Sequence, residues 1–290
     1  MNYRHAFHAG NFADVVKHVA LARILAYLGR KDAPYRVIDI HAGAGLYDLA
    51  GDEAERTGEW RGGIGAVLQA QFTPQVTELL APWIDAVQAV NRAGDGAAHG
   101  EPLRYYPGSP LLAQALSRPQ DRLLFCETVP PVRDALSEAV GKDARAKVLA
   151  VDGWQALNAY LPPKERRGVV LIDPPFEDAR EFARMADALI EAYRRWATGI
   201  YAVWYPIKDV RAVDAFRREI ERARIPKTLN IQFDLRAVRQ ADALSGCGLL
   251  IINPPFTLVD ELRLALGALA KVLATDGAGR VRVGWLTPER

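Results

Sequence analysis

The chain has 290 residues, 50% of them hydrophobic and 25% charged, with a formal net charge of +2. This composition excludes a disordered or fibrous polypeptide, and the length suits either two ordinary domains or one large α/β domain carrying an insertion. Two cysteines, Cys126 and Cys247, both in apolar runs, exclude a disulfide framework and a four-cysteine zinc site, and fit a reducing cytoplasm. No apolar run approaches the ~18 residues of a membrane span, and Met1 to Asn11 has no hydrophobic signal core, so neither secretion nor membrane insertion is expected.

Taken in chain order, the sequence alternates short apolar runs with amphipathic stretches. Phe12 to Leu28 reads as a helix stopped by Gly29, and Tyr35 to Ile40 as the first strand. Pro74 to Val90 is helical; Ser109 reads as an N-cap with Pro110 at the first helical position. Further strands are expected at Arg122 to Cys126, Lys147 to Val151, Val169 to Ile172, Gly199 to Trp204, Thr228 to Leu235, Gly248 to Ile252 and Val281 to Leu286. Helices are expected at Pro131 to Val140, Trp154 to Leu161, Asp178 to Trp196, Val210 to Ala223 and Leu258 to Leu273. Continuous apolar strands alternating with helices predict a mostly parallel, doubly wound sheet whose ligands sit at the carboxyl ends of the strands. Between Gly45 and Arg122 lie 76 residues, far more than one crossover helix requires, which predicts a small helical insertion over residues 48–101.

Charge is uneven along the chain. Met1 to Lys31 has five Lys or Arg against Asp14 alone, and Pro206 to Gln240 has nine against five acids, whereas Asp48 to Glu101 has nine acids against three Arg. If the two basic segments converge, they suit a polyanion held through its phosphates. As ordinary solvated faces they imply nothing.

Chemistry concentrates at the predicted strand ends. The first strand runs into Asp39-Ile40-His41-Ala42-Gly43-Ala44-Gly45, a glycine loop that lets backbone approach a nucleotide-like ligand but lacks the third glycine of a dinucleotide fingerprint. The second strand ends at Glu127, where one carboxylate suits the two hydroxyls of a ribose, and the third at Asp152-Gly153, where an acid suits an adenine amine. Each acid alone is more often a helix cap; their order after the glycine loop is what points to a ligand. The fourth ends in Asp173-Pro174-Pro175-Phe176, a rigid extended turn that suits a planar NH2 group: the Asp173 carboxylate and Pro174 carbonyl accept its hydrogens and Phe176 stacks on its ring. Asn253-Pro254-Pro255-Phe256 repeats the pattern past the fifth strand, away from the expected ligand, and reads as a proline-terminated strand end. His5 and His8 have no third ligand nearby, so no metal is expected.

These segments together resemble one family. Tyr3-Arg4-His5-Ala6-Phe7-His8-Ala9-Gly10-Asn11, His41-Ala42-Gly43-Ala44-Gly45, Glu55-Arg56-Thr57-Gly58-Glu59, Tyr105-Tyr106-Pro107-Gly108-Ser109-Pro110, Asp173-Pro174-Pro175-Phe176 and Ala197-Thr198-Gly199-Ile200-Tyr201-Ala202 resemble the ribosomal RNA large-subunit methyltransferase J family over nearly the whole chain. The resemblance implies a Rossmann-like class I methyltransferase domain over residues 1–47 and 102–290, its first 30 residues facing cofactor and RNA, with residues 48–101 as the insertion. It implies an S-adenosylmethionine-dependent enzyme that methylates N6 of one adenine of 23S ribosomal RNA, in the cytoplasm, with no stable protein partner. Carried over by position, Lys17, His18, His41, Gly43, Gly45, Ser109, Glu127, Asp152, Gly153 and Asp173 are expected at the cofactor; Asp173, Pro174 and Phe176 at the chemistry; and Tyr3, Arg4 and His5 at the RNA. Phe176 stands where relatives have Tyr, which preserves stacking, and Cys126-Glu127-Thr128 differs around the acid. Methylation of DNA adenine or protein glutamine uses the same four-residue motif, and a non-catalytic RNA-binding protein with a retained cofactor fold is the alternative of a different class.

Overall fold

The computed structural model describes residues 4–92, 103–235, 244–274, 277 and 279–289. Helix α1 (Phe12–Leu28) precedes strand β1 (Arg36–Asp39). An excursion follows: β2 (Leu46–Asp48), α2 (Asp52–Thr57), a 3-10 turn (Glu59–Gly62), α3 (Ile64–Gln69), α4 (Pro74–Arg92) and β3 (Tyr105–Pro107), which pairs antiparallel with β2. The chain then alternates through α5 (Ser109–Leu116), β4 (Arg122–Cys126), α6 (Pro130–Val140), β5 (Ala146–Leu149), α7 (Gly153–Tyr160), β6 (Gly168–Ile172), α8 (Glu181–Arg195), β7 (Ile200–Ile207) and α9 (Val210–Arg222). It ends with β8 (Thr228–Asp234), β9 (Gly246–Ile252), α10 (Leu258–Leu273) and β10 (Arg280–Thr287).

Eight strands form one sheet in the order β10-β8-β9-β7-β6-β1-β4-β5. The strands from β5 to β7 are parallel, while β9 runs antiparallel to both β7 and β8, and β10 antiparallel to β8. This is the largely parallel α/β architecture expected from the sequence, with strand order reversing beside β1 so that the ends of β1, β4 and β6 open onto one crevice. Central β6 is buried at all five positions, as expected of a strand with helices on both faces.

Two apolar cores lie on opposite faces of the sheet. One gathers α1, α4, α5, α6 and α10; the other gathers α7, α8 and α9. The helices of the two basic segments, α1 and α9, therefore occupy opposite faces, whereas β8 of the second segment packs on the α1 side, with Phe233 stacked on Phe12. Helix α9 is amphipathic, burying Val213, Phe216 and Ile220, whereas α1 is buried nearly all round. A helix in that position must find partners for any charge it carries. Among the described residues no helix is long and apolar enough to cross a membrane.

Three local readings are refined. Ser109 is not an N-cap: Gly108 occupies that position and the serine side chain makes no capping bond; its hydroxyl goes to Asp39 instead. Asn253 ends β9 at the edge where β7 begins, opposite Asp173, and its amide donates to the carbonyls of Ala197 and Gly199 at 2.8 Å each. The excursion adds a two-stranded sheet to its helices. It also shares the main core, since Val76, Leu80, Trp83 and Val87 of α4 lie in the same cluster as α1.

Trp83 is fully buried in that shared core, so Trp83→Ala is expected to lower global stability by about 3–5 kcal/mol. Urea denaturation followed by two probes should still show one transition; an early, separate transition of the excursion would contradict the shared core.

Candidate active site

The site begins with a buried cation. Asn11 caps α1, its side chain accepting from the amides of Ala13 and Asp14, and one turn on, Asp14 and Lys17 face each other across an i,i+3 spacing at 2.9 Å. The other Asp14 oxygen accepts from the Gly10 amide at 2.9 Å and meets His5 Nε2 at 3.0 Å. Lys17 Nζ also reaches Asp173 at the end of β6, 2.5 Å away. An ion removed from water needs such partners. Burial alone would raise the Asp14 carboxyl, but its contact with His5 and the Lys17 ammonium hold it well below the usual carboxylate range. Burial likewise works against the Lys17 ammonium, and Asp14 and Asp173 overcome it, so its pKa is raised well above the usual value.

His18 follows on α1. Its Nδ1 lies 2.8 Å from the Tyr106 hydroxyl, and the two rings stack with centroids 5.4 Å apart. Burial brings its pKa to about 3, so the ring is neutral. Nε2 is buried and has no partner within the protein.

The glycine loop leaves β1 at Asp39, which is 1% exposed. Asp39 accepts from the His41 amide at 3.1 Å and from the Ser109 hydroxyl at 2.6 Å. Gly43 and Gly45 take φ of +65° and +79°, a region that favours glycine. The Gly43 amide donates to Glu127 at 3.2 Å, and the other Glu127 oxygen accepts from Val129 at 2.8 Å, so the acid after β4 is held beside the loop. Asp152 caps α7 through the Trp154 and Gln155 amides, both at 3.1 Å, and its second oxygen faces Arg184 at 3.4 Å. Arg184 lies over the Trp154 ring, and Trp154 meets His41 edge-on at 5.0 Å. Burial, reinforced by Arg184, brings the His41 pKa to about 3.

These elements enclose a cavity of about 800 Å³. Of the residues expected from sequence, Arg4, His5, Lys17, His18, His41, Gly43, Ser109, Glu127, Asp152, Gly153 and Asp173 all line it. Three do not. A Cβ on Gly45 would stand 2.9 Å from Leu136, and the Gly45 carbonyl accepts from Gly108 at 2.7 Å, so this glycine seats the loop on α6 and α5. Pro174 is buried behind the turn, and Pro175 takes the lining position. Phe176, at φ +52°, packs against Phe182 and Trp204, with centroids 5.0 and 6.0 Å away. Tyr3 lies outside the described residues. His5 and His8 are engaged by Asp14 and Glu59, and among the described residues no cluster of three or more His, Cys, Asp or Glu is arranged to hold a metal.

Sequence reading missed Asp14, Asp39, Trp154 and Arg184. Asp14 had a signal, being an acid one turn from Lys17 on a mostly apolar helix. The other three had none, because their roles come from packing between segments apart in the chain.

The chain matches known proteins along its length. The model of the family described as "Ribosomal RNA large subunit methyltransferase D, RlmJ" matches residues 32–287. Ribosomal RNA large subunit methyltransferase J of Escherichia coli K12 is 39% identical over 289 residues, and its namesake in Haemophilus influenzae 38%, each alignment covering all of both chains. A crystal structure of a Legionella pneumophila protein superposes with a TM-score of 0.85 at 35% identity, covering 96% of this chain and 98% of that one.

Burial pushes the Asp39 carboxyl up to about 6, against the Ser109 and His41 hydrogen bonds. An acid whose folded pKa lies above its unfolded value contributes most to stability below the unfolded value of about 4, and loses that contribution as pH rises through the folded value. Wild type should therefore lose about 2–3 kcal/mol relative to Asp39→Asn between pH 4 and pH 7. Denaturation of both proteins across that range measures the difference; one that is independent of pH would contradict the assignment.

Proposed function

The chain belongs to the ribosomal RNA large subunit methyltransferase J family, and from that premise we propose that it uses S-adenosylmethionine to methylate N6 of one adenine in 23S ribosomal RNA. One observation carries the reading: Asp173, at the end of β6, lines the same cavity as the Gly43 loop and Glu127 at the ends of β1 and β4.

The residues present fit the cofactor. The volume is ample for a nucleoside with an amino-acid tail. The unpartnered Nε2 of buried His18 offers a polar group to that tail, and Glu127 beside the Gly43 amide suits a ribose diol. His41, Trp154 and Asp152 form an aromatic and acidic wall suited to an adenine ring. S-adenosylmethionine would supply an electrophilic sulfonium methyl group.

The chain's own residues then orient the acceptor. The ion pair with Lys17 fixes the direction of the Asp173 carboxylate, which accepts a hydrogen from the incoming amine and turns the nitrogen lone pair into the cavity. The Pro174 carbonyl, behind the turn and outside the cavity lining, would have to turn inward to take the second hydrogen. Phe176, now packed on Phe182 and Trp204, would have to swing outward to stack on the base. Asp173 orients more than it deprotonates, since the amine proton becomes acidic only as the N–C bond forms. An adenine inside a helix cannot reach this cavity, so the RNA must present it unstacked. Arg4 and His5 line the cavity, and the exposed Arg4 side chain would be open to RNA there. Free, buried Cys126 and Cys247 suit the reducing cytoplasm in which ribosomal RNA is modified.

The test is transfer of tritiated methyl from S-adenosylmethionine to protein-free 23S ribosomal RNA from cells lacking the gene, followed by nucleoside analysis. Label in N6-methyladenosine is the expected outcome. Label in DNA or in protein glutamine alone, or cofactor binding with no transfer to any of these, would overturn the reading.

A further inference from the structure

The excursion between β1 and β4 carries the acidic excess, and four of its described acids, Asp48, Glu53, Glu55 and Glu59, have basic or amide partners. Arg4 pairs with Glu53, Arg61 with Glu55, and Arg104 with Asp48. Glu59 is engaged twice: its Oε2 accepts from His8 Nδ1 and from Asn11 Nδ2, both at 2.9 Å. Around it the grip on the N-terminal segment continues. The Thr57 hydroxyl donates to the Phe7 carbonyl at 2.5 Å, the Arg56 guanidinium lies over the Phe7 ring, and the Ile64 amide donates to the Gly10 carbonyl at 2.8 Å. Gly63 presses so closely on this segment that a Cβ there would stand 2.0 Å from the Gly10 oxygen.

The gripped segment leads directly to the chemistry. Asn11, held by Glu59, caps α1. Asp14, on its first turn, is bound by the Gly10 amide and His5 on one oxygen and by Lys17 on the other, and Lys17 meets Asp173. Glu59 itself is not among the residues lining the cavity. We infer that Glu59, with the neighbouring Thr57-Gly58 corner, is a positioning residue for methyl transfer, holding residues 4–11, of which Arg4, His5 and Ala6 line the cavity, through His8 and Asn11. This rests on the proposed reading of the Asp173 site. It assigns the acidic insertion a purpose within the chain, as the clamp that fixes the basic N-terminal segment.

The exposure of the clamp separates positioning from stability. His8 and Glu59 side chains are 39% and 38% exposed, and a pair so exposed contributes little to global stability. A displacement of about 1 Å at a reacting group, by contrast, costs up to about 100-fold in rate. In the full-length protein, Glu59→Ala should reduce the single-turnover rate at least ~10-fold with cofactor affinity unchanged within about two-fold. Glu59→Gln keeps an acceptor at the same reach and should recover most of the rate. Glu59→Ala and His8→Ala should combine less than multiplicatively, as expected of residues acting through one contact. Hydrogen exchange supplies the readout independent of activity: amides of residues 4–11 should exchange faster in Glu59→Ala, while residues 19–25 of α1 keep their protection.

An unchanged rate in Glu59→Ala would overturn the inference. So would a loss matched by weaker cofactor binding, or unchanged exchange in residues 4–11. Failure of the functional reading looks different: wild type itself would place no label on adenine N6, and the exchange comparison would still decide whether the clamp exists.

Discussion

One buried ammonium group organises the site. Lys17 is removed from water between Asp14 on its own helix and Asp173 at the end of β6, and three charges held this way fix the distance and rotation between the helix and the strand. Breaking such a cluster by removing one partner leaves an uncompensated charge, at a typical cost of about 3–5 kcal/mol. Much of the surrounding structure follows from that constraint. Helix α1 has to lie inside the core, and its N-terminus has to be held in place; Asn11, Gly10, His5 and the insertion do so.

Carboxylates around the same edge of the sheet stand in different environments. Asp14 is kept ionised by the charges around it, and Asp39, buried against a hydroxyl and an amide, is pushed up to about 6. Glu127 is oriented by backbone amides, and Asp173 by a lysine. On the proposed reading, environment divides these carboxylates into loop-bracing, ligand-facing and amine-facing positions. In the proposed reaction only the last meets the acceptor.

The legible part of the sequence was the part governed by local rules. Continuous apolar runs set the strands, and helix bounds such as Phe12–Leu28 and Leu258–Leu273 follow from periodicity and stop signals. Glu127, Asp152 and Asp173 stand at strand ends, so alternation alone brought them to one edge. Long-range pairing was not legible. No local pattern says that Ser109 gives its hydroxyl to Asp39, that Arg184 lies over Trp154, or that Glu59 reaches back to His8 and Asn11. Ser109 followed by Pro110 is a sound capping signal, and it was overridden because a buried acid offered the hydroxyl a stronger partner. Phe176 shows a further limit, since its ring packs in the core on the α8 and α9 side and its stacking position depends on a substrate.

The most direct test of the account is Asp173→Ala, with cofactor affinity measured by calorimetry beside single-turnover methyl transfer to 23S ribosomal RNA. If Asp173 orients the acceptor amine, turnover falls by at least ~1000-fold while cofactor affinity stays within a few-fold of wild type. Retained turnover, or a loss explained wholly by failure to bind cofactor, would contradict it.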